Sequence, residues 1–271
     1  MGFHCSIPAA PLDALIEKIW DWDMPAPAHR YERVLPLPGA ALIINLHEDE
    51  TRVYADDAAR HCTRSAAAVL GGPMLHSQII DTAEQIRVMG VMFRPGGVYA
   101  FTAEDLAGMA GRDVDLHDLF GVTADRLRQR LLDTPAPAQR LTLLERWLQQ
   151  RLRMPAIDPA INHAIGALNR VPQVACIPRI AQAIGMSDRR FTAQFGRQVG
   201  MKPKHYARLM RFRTVISHAH YQPAVNWSAV AADCGYSDQA HLSHEFRSFA
   251  GVTPSAFMAS RGPYINHLPL D

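Results

Sequence analysis

The 271-residue chain has no apolar run approaching the ~20 residues that cross a bilayer, and its start, Met1-Gly2-Phe3-His4-Cys5, has neither a basic leader nor a long apolar stretch. A membrane protein is not expected, and a cytoplasmic one is. Cysteine is scarce. Cys5, Cys62, Cys176 and Cys234 lie far apart with no Cys-x-x-Cys pair, which spells out neither a zinc knuckle nor a redox motif; they read as reduced, mostly packing residues. Gly-x-Ser-x-Gly nucleophiles and phosphate loops are missing too. His47, His61 and His76 lie near strand-like segments but lack a tight His-x-His pair with a following Glu, so no metal, cofactor or catalytic group is expected. With 48% hydrophobic and 20% charged residues, no dominant disordered tail fits, and the length suits two domains.

Acidic residues are missing from one long stretch. Residues 1–154 carry 16 Lys+Arg against 20 Asp+Glu, whereas residues 155–271 carry 12 against 6, giving halves of −4 and +6. Between Asp188 and Asp233 there is no acid at all, while Arg189, Arg190, Arg197, Lys202, Lys204, Arg208, Arg211 and Arg213 accumulate. A polyanion partner is the economical reading, given a scaffold that presents this charge.

What is present divides into two patterns. Leu12, Leu15, Ile16 and Ile19 fall at helical spacing, so a short amphipathic helix is expected over 12–22. Short aliphatic runs follow at 33–37, 41–46, 51–55, 67–70, 78–81 and 87–93, separated by Pro-Gly, Gly-Gly and Asp-rich turns, and predict a small antiparallel barrel or sandwich. Helices are expected at 103–109, 123–132 and 138–152, the last with a stripe of Leu141, Leu144, Leu148 and Leu152 that either packs on its own domain or forms a homodimer face. Met154-Pro155 and Asp158-Pro159 read as the hinge into a second domain.

An internal repeat is the strongest signal. Ile180-Ala181-x-x-x-Gly185-Met186-Ser187-Asp188 returns as Val230-Ala231-x-x-x-Gly235-Tyr236-Ser237-Asp238, and Phe195, Gly200 and Pro203 return as Phe246, Gly251 and Pro254. Each copy has the grammar of a helix-turn-helix, at about 177–199 and 227–249: a short helix, a turn glycine, a capping Ser or Asp, then a second helix. Phe191, Phe195 and Val199 form the inward stripe of the first, and Leu242, Phe246 and Phe249 that of the second. Between the copies, 203–219 reads as one continuous spacer helix. Two copies on a basic segment point to double-stranded DNA. Arg189, Arg190 and Ala193, and Gln239, Ser243 and His244, are placed to read base edges, because Arg pairs bidentately with guanine and Gln with adenine; equally, one of the two arginines touches only phosphate, Ser243 and His244 meet backbone, or His244 is a solvated surface histidine. Arg197, Lys202, Lys204, Arg208 and Arg247 are assigned to phosphates.

Arg190-Phe191-x-x-Gln194-Phe195, Val199-Gly200-x-x-Pro203-x-x-Tyr206, Arg211-Phe212, and Cys234-Gly235-Tyr236-Ser237-Asp238-Gln239-x-His241-Leu242 running on to Phe246, Gly251 and Thr253-Pro254 resemble the AraC/XylS DNA-binding domain, over about 158–261. The resemblance implies a bacterial activator or repressor of transcription, with RNA polymerase as a partner and a cupin-like sensor or dimerisation domain over 1–154. The fold class is thus α+β in two domains: a β-barrel or cupin-like domain with flanking helices, then an all-α domain with two helix-turn-helix units joined by a long helix, and a tail at 262–271. Val91-Met92-Phe93-Arg94-Pro95-Gly96-Gly97 with Leu143-Leu144-Glu145-Arg146 is similar to one sub-group of that family. Asn45, His47 and Arg94 are candidate residues for a small-molecule effector pocket. The chain departs from the family at His244, where Arg is usual, and at Ala256-Phe257, where Tyr-Arg is common, implying a weaker grip by the second unit. Two rival readings are a sequence-blind DNA binder and a metal-dependent cupin-type enzyme tethered to DNA.

Overall fold

In a computed structural model, which describes residues 2–56, 59–102, 105–153 and 157–270, the chain is an α+β protein with antiparallel sheets in its first part and helices in its second. Strands β1 (Gly2–Ser6), β2 (Ile16–Asp23), β3 (Tyr31–Val34), β4 (Ala41–Asn45), β5 (Glu50–Tyr54), β6 (Cys62–Ala66), β7 (Ala68–Gly71), β8 (Gln78–Asp81), β9 (Arg87–Phe93) and β10 (Asp113–Asp115) are joined by β11 (His267–Leu270) from the far end of the chain. They form a six-stranded sheet in the order β1-β2-β9-β4-β7-β10 and a five-stranded sheet in the order β11-β3-β8-β5-β6. Strand β4 follows its alternation: Leu42 and Ile44 are buried, while Ala41 and Ile43 are half-buried.

The helix expected over 12–22 is not formed. A short 3-10 turn, Leu12–Ala14, leads into β2, which lies between β1 and β9. The pairing of β2 with β9 shifts register between Ile16 and Lys18. That bulge adds one residue, so Ile16 and Ile19, three apart, both face the core and imitate a helical period.

Four helices follow, α1 (Tyr99–Thr102), α2 (Leu116–Phe120), α3 (Val122–Leu132) and α4 (Pro137–Gln149). The helix read at 103–109 is a 3-10 turn over Leu106–Met109, with residues 103 and 104 outside the described residues. Leu141, Leu144, Trp147 and Leu148 of α4 join Ile16, Ile19, Leu42 and Met89 in one apolar cluster, so the leucine stripe packs on its own domain and offers no dimer face. Arg140 of α4, 1% exposed, donates to both carboxylate oxygens of fully buried Asp21 on β2, at 2.6 and 3.0 Å. This pair fastens helix to sheet.

The second core is built by α5 (Pro159–Arg170), α6 (Ile177–Ala183), α7 (Asp188–Val199), α8 (Pro203–His220), α9 (Trp227–Asp233), α10 (Gln239–Ala250) and α11 (Pro254–Ser260). The hinge residues Met154 and Pro155 lie outside the described residues; Asp158 caps α5, accepting from Ala160 N at 2.8 Å. Of the tail expected at 262–271, the described residues 262–270 are not free. β11 pairs with β3 from His267↔Val34 to Leu270↔Tyr31, and Leu268 and Leu35 are buried in the same cluster as Phe191 and Phe246. The two domains therefore share packing. Of the cysteines only Cys234 is buried; Cys5, Cys62 and Cys176 are exposed, so the packing role fails for those three.

Candidate nucleic-acid interface

Each repeat is a two-helix unit held by matching local chemistry. After α6 and α9, each seven residues long, Gly185 and Gly235 turn the chain at φ +69° and +72°, a left-handed conformation that a side chain would strain. Ser187 then caps α7, its hydroxyl accepting from Arg190 N at 3.3 Å, and Asp238 caps α10, accepting from His241 N at 2.7 Å. Phe191, Phe195 and Val199 are fully buried on α7, as are Leu242 and Phe249 on α10, with Phe246 1% exposed. Burial of these stripes fixes which faces turn outward.

On α7 the outward residues are Arg189, Arg190, Ala193 and Arg197, all exposed. On α10 they are Gln239, His244 and Arg247, exposed, with Ser243 half-buried. Arg189, Arg190, Lys202, Lys204 and Arg247 have no ion pair among the described residues, which leaves five cations free for an outside anion. Arg197 stands over the ring of Tyr99 in the first domain, 5.9 Å from its centroid. Ser228 of α9 donates its hydroxyl to Gln239 Oε1 at 3.1 Å, bracing the first side chain of α10.

Arg208 does not stand free for phosphate. Its Nε donates to Glu245 Oε1 and Oε2 at 2.8 and 3.1 Å, and a second nitrogen also bonds Oε1, tying α8 to α10. Arg211 adds a weaker contact to the same carboxylate at 3.5 Å and stacks 4.4 Å from the Tyr236 ring centroid. Burial pushes the Glu245 carboxyl up, but the hydrogen bonds and charge of Arg208, with Arg211, hold it below its ordinary value. Glu245 escapes a reading of outward faces. Its signal is an acid on the inward stripe, three residues after Leu242, in an otherwise basic domain.

The three effector residues are not brought together. Asn45 and His47 sit where β4 ends and Arg94 just past β9; because Ala41 pairs Met92 and Asn45 pairs Val88, they occupy opposite ends of the two strands. The fully buried Asn45 is a turn clamp: its Oδ1 accepts from His47 N and Glu48 N, both at 2.8 Å, and its amide donates to Glu84 O at 3.0 Å. Arg94 Nε donates to Asp13 O at 2.9 Å. Among the described residues no group of three or more His, Cys, Asp and Glu side chains is arranged so that it could hold a metal ion.

The loop from Gly72 to Ser77 grips the ends of both second helices. Gly200 and Gly251 end α7 and α10 in the left-handed conformation, and a Cβ at Gly200 would lie 2.9 Å from the Pro73 ring. At the end of α10, Ser77 N donates to Phe249 O at 2.9 Å and His76 Nδ1 donates to Ser248 O at 3.0 Å. Carbonyls of a last turn have no partner within their own helix, and here the first domain supplies two.

Residues 180–260 match the family described as a helix-turn-helix domain, and residues 5–115 match a domain of unknown function, DUF6597. No curated protein matches the chain. Among solved structures, a transcriptional regulator with an AraC-type DNA-binding domain from Chromobacterium violaceum is similar at 21% identity over 39% of this chain and 94% of its own, with a TM-score of 0.36. ToxT from Vibrio cholerae O395, bound to a naphthalenyl butenoic acid, is similar at 9% identity over 96% of this chain and 99% of its own, with a TM-score of 0.47. ToxT from strain SCE256, bound to an unsaturated fatty acid, is similar at 11% identity over 94% of each chain, with a TM-score of 0.44.

Proposed function

We propose that this chain, whose residues 180–260 are an AraC-type helix-turn-helix domain, is a sequence-specific transcription regulator that lays α7 and α10 into two adjacent major grooves of promoter DNA. The observation that carries this reading is the pair of outward faces, each framed by the same turn glycine, cap and buried stripe, and bearing hydrogen-bonding side chains. The eighteen residues of α8 join them. At ~1.5 Å per residue this spacer spans roughly 27 Å, which keeps two recognition helices within reach of grooves ~34 Å apart.

Arg189 and Arg190, in the first turn of α7, and Gln239, braced by Ser228, are the base readers, with Ala193, Ser243 and His244 beside them. Lys202, Lys204, Arg197 and Arg247 supply phosphate contacts and hence the salt dependence. The regulator works in the cytoplasm, where its DNA and RNA polymerase are, and its first domain relays a small-molecule signal through the loop that grips both second helices.

Selection from a random duplex pool tests this. The full chain is used, because β11 belongs to a sheet of the first domain. A two-part motif with centres about one helical turn apart is expected. Retention set by salt alone, with no enriched sequence, would establish a sequence-blind binder instead.

A further inference from the structure

The two recognition helices lead with different side chains. At the matching position of the first turn, α7 has Arg189 and α10 has Gln239, and the next residue is Arg190 in one and Ala240 in the other. Arginine can only donate hydrogen bonds. Glutamine both donates and accepts, through an amide NH2 and an amide oxygen, so the base it reads depends on which end faces the groove.

In this chain a neighbour makes that choice. Ser228, in the first turn of α9 and eleven residues before Gln239, has its hydroxyl 3.1 Å from Gln239 Oε1. Hydroxyls farther along the helices hand their proton to the carbonyl four residues earlier: Thr142 to Ala138 O at 3.0 Å, Thr214 to Met210 O at 3.1 Å and Ser260 to Ala256 O at 2.9 Å. For Ser228 the residue four earlier, Ala224, precedes the helix, which leaves its proton for the glutamine oxygen. Gln239 is exposed, and its Nε2 has no partner among the described residues. The amide is thus turned with its oxygen on α9 and its NH2 outward. In the first unit the counterpart of Ser228 is Pro178, which has no hydroxyl, and Arg189 needs none, having only donors.

We propose that Ser228 sets the base preference of the second unit: by holding Gln239 Oε1 it makes this glutamine a donor, and so directs it to guanine instead of adenine. The bidentate pairing of glutamine with adenine needs Oε1 to accept from adenine N6 while Nε2 donates to N7, and that oxygen is committed to α9. An outward NH2 finds two acceptors, O6 and N7, on guanine. On adenine it finds N7 alone, beside an amino group that meets it donor to donor. Both recognition helices thus lead with donors, and each half of the operator carries a G·C pair where the first turn meets it. This rests on the reading of α7 and α10 as recognition helices, and it gives the second a base and a positioning residue.

The test is competition binding of the full chain at constant salt, once selection has given the motif and Gln239→Ala has marked the position that side chain reads. Wild type is expected to favour a G·C pair there over an A·T pair by about fivefold or more. Replacing that guanine by 7-deazaguanine, which lacks N7, weakens wild type by about threefold and leaves Gln239→Ala unchanged. Ser228→Ala, at an exposed position, frees the amide to turn: the G·C preference falls by about threefold or more at that position alone, while Ser228→Thr, which retains the hydroxyl, keeps it. A merely structural Ser228 would weaken all sequences alike. An A·T pair preferred at that position, no position marked by Gln239→Ala, insensitivity of wild type to 7-deazaguanine, or a G·C preference unchanged in Ser228→Ala overturns the proposal and leaves the regulator reading standing. A pool with no enriched sequence sinks both.

Discussion

Replacing Arg208 by Gln separates a phosphate contact from an internal tie. The guanidinium makes three hydrogen bonds to Glu245, whose side chain is 7% exposed, while its own is 34% exposed. Breaking a fully buried pair costs about 3–5 kcal/mol, because one charge is left without a partner. Here solvent reaches Arg208 and Arg211 stays 3.5 Å from the carboxylate, so about 2 kcal/mol is the reasonable loss. For a chain of this size that is a drop of about 4–8 °C in melting temperature. Replacing both partners, Arg208→Met with Glu245→Leu, recovers part of it, since no buried carboxylate remains, while Arg211 keeps its bond to Gly235 O. The slope of log affinity against log salt stays at its wild-type value in Arg208→Gln, measured below the melting range. An unchanged melting temperature together with a slope reduced by about 0.9 would refute the reasoning and return Arg208 to the phosphates.

Other consequences are equally measurable. Lys204→Ala should weaken all DNA sites alike and lower the salt slope by about 0.9, whereas Arg190→Ala should cost about 1–3 kcal/mol of discrimination at one position of the motif, both read by competition binding. Removing the buried guanidinium in Arg140→Ala leaves Asp21 unpaired under α4 and should destabilise the first domain by about 3–5 kcal/mol in chemical denaturation. His76→Ala removes one of the two bonds from the first domain to the end of α10; a loss of about 1 kcal/mol is expected, with faster hydrogen exchange at residues 74–77. Burial pushes the Glu32 carboxyl up, but hydrogen bonds with His267 and His29, at 2.8 and 2.7 Å, hold it below its ordinary value. A depressed carboxyl contributes stability fully above its unfolded pKa, about 4.3, and loses it as pH falls through the lower folded value. The β11–β3 pairing should therefore loosen below about pH 4, seen as exchange at Leu268, and Glu32→Gln should flatten that acid limb.

How much of this was legible in the sequence depends on what each residue answers to. The inner strands β4 and β8 are legible because buried and half-buried positions alternate along them under local rules, and β9 because its run is apolar nearly throughout. The strands that escaped, β1, β6, β10 and β11, are the edges of the two sheets. An edge strand has one neighbour and buries little: three of the five residues of β6 are exposed. β11 also answers to a partner more than two hundred residues away, which no local pattern signals. Strand β2 imitates a helix in the sequence because its bulge puts apolar residues three apart. In the recognition units the repeat made caps, turns and buried stripes visible, since these are set within a few residues. Which outward cation meets an internal acid was not visible, because Arg208 and Glu245 are brought together only by the packing of α8 against α10. Asn45, His47 and Arg94 failed as a group for the same reason, since strand pairing places them at opposite ends.

The central claim is that one chain reads two grooves with two different helices, and paired sequence selections test it most directly. Full-length wild type, Arg190→Ala and Gln239→Ala are each selected against the same random duplex pool. The account predicts a two-part wild-type motif, with Arg190→Ala losing information in one half only and Gln239→Ala in the other half only. Loss from the same half in both variants, or a wild-type motif confined to one groove, would contradict it.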